Sequence, residues 1–357
     1  MNLFQILVEE ENLNMIFKKL IHHTHEAERS VIQKWADGFI DRDNKFVKEF
    51  QTTFESSFWE LYLFAMLKEL NVNIDFTKST PDFVCEKRGV KFCLEATIAN
   101  PEVGGIHAYG FDEVHLNFDI DFQEFNRKSI IRICNSIISK ARKYQNSYKN
   151  LEHVIGKSLI LGLNSFDRPH SHLIGNKGVI AVLYGIYLNE EKCIAEKLDF
   201  IPHEKLDFIT KDNGAEISLG FFTTPEYEDI SAIVYNPLAT WGKLRALGEL
   251  NEYNKMCIFN AFYSTEDSKN LKPEINNAIP KENYKENLLD GLYIFHNPYA
   301  KYPLHQSIFE SANVAHISID ENGNLIEMIK ERFLLSRSVI GIDVETSDQK
   351  QIIENLK

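Results

Sequence analysis

The stretch Pro81-Asp82-Phe83-Val84-Cys85-Glu86-Lys87-Arg88-Gly89-Val90-Lys91-Phe92-Cys93-Leu94-Glu95-Ala96-Thr97-Ile98 holds two runs of strand-forming residues around a turn-like segment with a central glycine. If Arg88-Gly89 is a two-residue turn, Lys87 faces Val90 and paired residue numbers sum to 177, which sets Asp82 opposite Glu95. Side chains alternate along a strand, so Asp82, Val84 and Glu86 share a face with Lys91, Cys93, Glu95 and Thr97. Phe83, Cys85, Phe92, Leu94, Ala96 and Ile98 form the other face, which is wholly apolar and is expected to be core. Directly opposed residues bring their Cβ atoms to roughly 5 Å, where like charges repel. Three things would compensate the pair: a divalent cation between the carboxylates, a raised carboxyl pKa, or a nearby Lys or Arg. A one-residue bulge would break this register.

Before the hairpin, Lys45 to Leu70 contains no Gly or Pro and stops at Asn71-Val72-Asn73, which predicts one long helix. From Phe58 onward its apolar residues leave little polar face, so burial on several sides is expected. Glu60 sits inside that apolar stretch, where an ionised carboxylate needs a cation, a metal, a donor or a solvent gap. After the hairpin comes a Gly-rich loop, Gly104 to Gly110, with His107 and His115 near it as lesser acid–base candidates. From Phe125 to Leu151 there is no Asp or Glu, while Arg127, Lys128, Arg132, Lys140, Arg142, Lys143 and Lys149 all fall inside. Ile130, Ile131, Cys134, Ile137, Ile138, Ala141 and Tyr144 recur at three- and four-residue spacing and predict a core-facing helix stripe. Ser129, Arg132, Ser136, Lys140 and Lys143 form the neighbouring polar stripe, which is either a solvated face or a surface that meets phosphate.

Further on, strands are expected at Ser158 to Asn164, Gly178 to Tyr184, Ala215 to Phe222, Ile230 to Tyr235, Met256 to Phe262, Gly291 to Phe295 and Val314 to Ile319, with another near the C-terminus. Trp241 to Leu250 is expected to be a helix. His22, His23 and His25 read as partly exposed helix residues rather than a metal site, and Arg168-Pro169-His170-Ser171-His172 as a surface loop. Lys243, Arg245, His296 and His305 read as structural or surface residues. The organisation expected is a helical N-terminal extension at 1–43, a core at 44–186 and a C-terminal α/β elaboration at 187–357 packed on that core.

With 357 residues and 44% apolar content the chain can bury a large core, and it contains no low-complexity linker or repeat. No basic leader and no apolar run of membrane-spanning length is found, so no membrane partner and a cytoplasmic location are expected. Five widely spaced cysteines without a Cys-x-x-Cys pair point to reduced thiols. A formal charge of −13 argues against a general nucleic-acid-coating protein, which gives the one purely basic stretch more weight. Phosphate-binding loops with Lys-Ser/Thr, dinucleotide-binding glycine fingerprints and nucleophile elbows are absent from the sequence.

A carboxylate on a helix, Pro-Asp opening a strand, a carboxylate-x-polar pattern in the next strand and then a second helix resemble the PD-(D/E)XK nuclease superfamily over roughly residues 55 to 165. The resemblance implies an α/β, restriction-endonuclease-like fold, a mixed sheet flanked by helices. It implies that Asp82 and Glu95 hold Mg²⁺ or Mn²⁺, with Glu60 orienting a second ion or a coordinated water. Thr97 stands where the family usually has Lys; it would assist by hydrogen bonding, and the missing charge would come from Lys140 on the basic helix, with Lys143 and Lys91 behind it. Arg132, Ser136 and Lys143 are the expected substrate-binding residues. The function so implied is a metal-dependent phosphodiesterase cleaving DNA, or less favoured RNA, as in microbial restriction or anti-phage systems, with a partner protein or homo-oligomer supplying recognition. The alternative is a catalytically inactive binding or scaffold protein of the same fold.

Overall fold

The computed structural model describes residues 1–106, 108, 121–253, 255–264 and 273–341. The helices are α1 (Met15–Leu20), α2 (Glu26–Trp35), α3 (Phe46–Thr52), α4 (Phe54–Glu69), α5 (Phe122–Lys143), α6 (Lys177–Tyr184), α7 (Glu190–Glu196) and α8 (Trp241–Leu247). The first strands are β1 (Asn73–Ile74), β2 (Phe83–Lys87), β3 (Val90–Ala99), β4 (Ser158–Ser165), β5 (Ile186–Leu188), β6 (His203–Lys205), β7 (Phe208–Thr210) and β8 (Glu216–Ser218). There follow β9 (Ala232–Tyr235), β10 (Met256–Phe262), β11 (Glu274–Pro280), β12 (Leu292–His296), β13 (Val314–Ile319), β14 (Leu325–Met328) and β15 (Leu334–Gly341).

The hairpin forms in the expected register. Phe83 pairs with Leu94, Cys85 with Phe92 and Lys87 with Val90. Arg88 (φ 51°) and Gly89 (φ 79°) both take the left-handed region, which is what a two-residue hairpin turn of the type I′ kind demands. The hairpin enters an eight-stranded mixed sheet of order β1-β2-β3-β4-β9-β12-β13-β14. β3, β4 and β9 run parallel, β12 turns antiparallel to β9, and β13 runs parallel to β12. The sheet thus takes strands from both sides of residue 187. β10, β11 and β15 make a separate three-stranded sheet.

Alternation along the strands divides the core into two layers. Phe83, Cys85, Phe92, Leu94, Ile160, Val234 and Ile294 face α4, around which α1, α2 and α3 are gathered. Val84, Cys93, Leu159, Leu161, Ile233 and Phe295 face α5 and α6. The hairpin's mixed face is therefore no solvent face: α5 covers it, burying Val84 and Cys93. α4 approaches β4 so closely that a Cβ on Gly162 would lie 2.5 Å from Leu63 Cδ1. At the same place the Trp59 indole donates to the Gly162 carbonyl at 2.8 Å.

Three expectations are corrected. Lys45 to Leu70 is two helices, separated at Thr53, whose backbone leaves the helical region at φ −127° and ψ 60°. Gly178 to Tyr184 is helical, not extended; every residue from Gly178 onward is buried, so the run carries no periodicity to distinguish the two. The strand expected over Ala215 to Phe222 is confined to Glu216–Ser218, where it pairs only with β7. Among the described residues no helix is long and apolar enough to cross a membrane.

Candidate functional site

Extending the hairpin register by one pair sets Asp82 beside Glu95, and hydrogen bonds knit them together. Asp82 Oδ2 accepts from the Ala96 N–H at 2.7 Å, and Glu95 Oε2 accepts from the Asp82 N–H at 3.3 Å. Glu95 is only 2% exposed, since β3 is interior and α5 lies over it. Its other oxygen, Oε1, gathers three donors: Lys140 Nζ at 2.7 Å, Lys143 Nζ at 3.1 Å and the Tyr148 hydroxyl at 3.0 Å. Lys140 is 21% exposed, so one face of this ion pair reaches solvent.

The charges sort unevenly. Burial works to raise the Glu95 pKa, but Lys140 and Lys143 hold it below the usual carboxylate value. Burial, reinforced by the Glu95 charge, pushes Asp82 up to about 6 against the pull of Lys140 and the Ala96 N–H. Glu60 comes from α4, on the other side of the sheet. Burial pushes it up to about 8, with Asp82 adding to the rise and Arg42 opposing it. Three carboxylates thus feel one another, and the two lysines satisfy only one of them.

Thr97 Oγ1 lies 2.9 Å from Ser136 Oγ, a hydroxyl pair one step further along the strand and helix. Arg132 donates to the Asn100 and Pro101 carbonyls, holding the chain as it leaves β3. Lys91 pairs with Glu86 at 3.8 Å near the hairpin turn and is no part of the cluster.

Two participants were missed in the sequence. Tyr148 lies in a π-helical turn, Tyr144–Tyr148, that continues α5 and brings its hydroxyl back to Glu95. Such turns are frequent at functional sites, but they carry no sequence pattern. Arg42 donates to the Asp82 and Lys78 carbonyls from the loop before α3, far off in sequence.

Other candidates stand apart. His107 and His115 lie outside the described residues. His25 faces Glu28 at 3.3 Å, and His22 bonds Thr24. His170 and His172 have ring centroids 6.1 Å apart, and burial lowers His172 to about 4. Lys243 is fully buried against Glu286, Arg245 faces Glu28, His296 bonds His316 at 2.9 Å and His305 is exposed.

The donor set suits a hard divalent cation. It is all oxygen, burial and then the charge of neighbouring carboxylates hold two of its three carboxyls towards the protonated form, and Mg²⁺ is commonly held by one or two carboxylates with water and phosphate completing its shell. Among the described residues no group of three His, Cys, Asp or Glu side chains stands close enough to hold an ion unaided. Asp82 and Glu95 are the two carboxylates that the resemblance would place on such an ion. No family model matches the chain, and neither the curated proteins nor the solved structures contain a match.

Proposed function

We propose that the chain is a metal-dependent phosphodiesterase of the nuclease class, built on a restriction-endonuclease-like core of α4, β2, β3, α5 and β4. The observation that carries this reading is the Lys140 ammonium 2.7 Å from Glu95. Thr97 cannot supply positive charge, and the basic helix brings it to the second carboxylate by another route. A divalent cation held by Asp82 and Glu95 would supply Lewis acidity at the phosphate. Lys140, reaching solvent beside Glu95, would stabilise charge gathering on the phosphate oxygens, and Lys143 would help to bind it. Glu60, with its pKa near 8, holds a proton at neutral pH that it can give up as cations arrive. Nucleic acid is the substrate class that fits a basic helix in an otherwise acidic chain, DNA before RNA, and restriction or anti-phage defence is the setting that the resemblance suggests. Five free cysteines, four of them buried, suit a reducing cytoplasm.

Incubating the protein with Mn²⁺ and plasmid, single-stranded DNA and RNA is the direct test. Cleavage is expected, with Glu95→Gln abolishing it and Lys140→Met slowing it by about 100-fold or more, as for loss of one charge-stabilising donor. Cleavage unchanged in both variants would refute the assignment. A non-catalytic binding role is favoured by one observation: Glu95 Oε1 is already surrounded by three donors. Calorimetry separates the readings, because a binding module would give no Mn²⁺ heat that depends on Asp82 and Glu95.

A further inference from the structure

A second group of cations lies about two helical turns along α5 from Lys140, the lysine that meets Glu95. A cavity of about 590 Å³ opens where β3 and β4 end, walled by α5, the chain after each strand and the turn between β7 and β8. Lys128, Arg132, Arg168 and Lys211 line it, all half-buried.

The acids in its wall are largely spoken for. Asp167, buried at 4% exposure, accepts from Ser129 at 3.1 Å, Ser165 at 2.7 Å and Arg168 Nε at 2.6 Å. Asp212 is held by Arg127. Of these acids only the Glu102 carboxylate has no partner among the described residues. The cations keep donors in reserve. Arg132 uses Nε and one Nη on carbonyls, Arg168 uses only Nε, Lys128 pairs with Glu124 at 3.4 Å, and the Lys211 ammonium has no hydrogen-bond partner among the described residues. Arg168 is fixed further by lying 5.2 Å over the Phe125 ring. The surplus in the cavity is therefore positive and positioned before any ligand arrives.

The cations do not converge on a point, as they would around a small anion. Lys128, Arg132, Ser136 and Lys140 follow one another every four residues along α5, which is about 6 Å per step and about 12 Å from Arg132 to Lys140. We infer that this cavity binds backbone phosphates of a nucleic-acid strand on one side of the scissile position, the strand running along α5 to Glu95. The direction of that run rests on the nuclease reading; the pocket's affinity for phosphate does not.

The test is anisotropy of a labelled 16-nucleotide single-stranded DNA, in chelator so that nothing is cut, across a salt series. The variants are Lys211→Ala, Arg168→Gln, their combination, and Lys34→Ala as a remote charge control. The double variant is expected to bind about tenfold more weakly at low salt, and the slope of log affinity against log salt to shrink by about 0.7 for each lost contact. Lys211→Ala alone should show half the slope change without touching the Asp167 network, and circular dichroism would establish that each variant is folded. Failure of the wild-type protein to bind the DNA, or equal affinity and slope in wild type and double variant, would overturn the pocket, whether or not the protein cuts DNA with Mn²⁺. Pocket-dependent binding by a protein that cuts nothing with any metal would sustain the pocket and remove the nuclease reading.

Discussion

At the scale of single residues, Glu95 and Glu60 make opposite demands on pH. Glu60's folded pKa of about 8 lies above the ordinary 4.5, so the folded protein holds that proton more tightly than the unfolded chain. The stability so gained is complete below about pH 4.5 and disappears as pH rises through about 8. Glu60→Gln should therefore raise the melting temperature more at pH 9 than at pH 5; an advantage that does not vary with pH would show that Glu60 lacks this burden. Mn²⁺ should relieve the same charge. At pH 8 it is expected to raise the melting temperature of wild type but not of an Asp82→Asn, Glu95→Gln double variant. Tyr148→Phe removes a hydroxyl from a buried carboxylate, a charged hydrogen bond worth about 1.5 to 3 kcal/mol, measurable by urea unfolding. The facing of Asp82 and Glu95 was legible because Arg88-Gly89 fixes the turn, and the turn fixes every pair after it. Tyr148 was not legible, because a π turn displaces it from the 3.6-residue spacing by which the rest of α5 could be read.

At the scale of elements, position depends on how closely layers approach. Gly162 lets α4 lie on β4, and Trp59, next to Glu60, is hydrogen-bonded to its carbonyl. Gly162→Ala should cost about 2 kcal/mol by overpacking Leu63, and it should also shift Glu60. Urea unfolding would measure the cost; a loss below about 0.5 kcal/mol would mean that the layers part freely, since overpacking usually costs more. The basic helix was visible as an amphipathic run with its acids removed. Gly178 to Tyr184 was misread because a segment buried all round gives no polar stripe, and Val, Ile and Tyr suit a strand as well as a buried helix. The break at Thr53 was equally hidden, since one residue's backbone turning to φ −127° and ψ 60° makes it and no Gly or Pro announces it.

At the scale of the whole molecule, the C-terminal part adds β9, β12, β13 and β14 to the hairpin's own sheet. It also encloses a buried ionic knot. Glu286 lies 2.6 Å from Lys243 Nζ and 2.9 Å from Arg337 Nε and accepts from the Tyr284 hydroxyl at 2.7 Å. This ties α8 and β15 to the chain between β11 and β12. Glu286→Gln would leave two buried cations without their ion-pair partner, at a cost of about 3 to 5 kcal/mol in denaturant unfolding. A cost below about 1 kcal/mol would mean that water already reaches the knot. The partners in this knot lie 43 and 51 residues apart along the chain, so no local pattern announces them.

The 22 residues of α5 carry Lys128 and Arg132 in the first half and Lys140 and Lys143 in the last turn on a single rigid rod. A rod of that kind measures. A strand rising about 3.4 Å per nucleotide must extend over roughly four nucleotides to touch Arg132 and Lys140 at once. Under the proposed nuclease function, fragments shorter than this would hold to one of the two groups only, and digestion is expected to stall at short oligonucleotides instead of running down to mononucleotides.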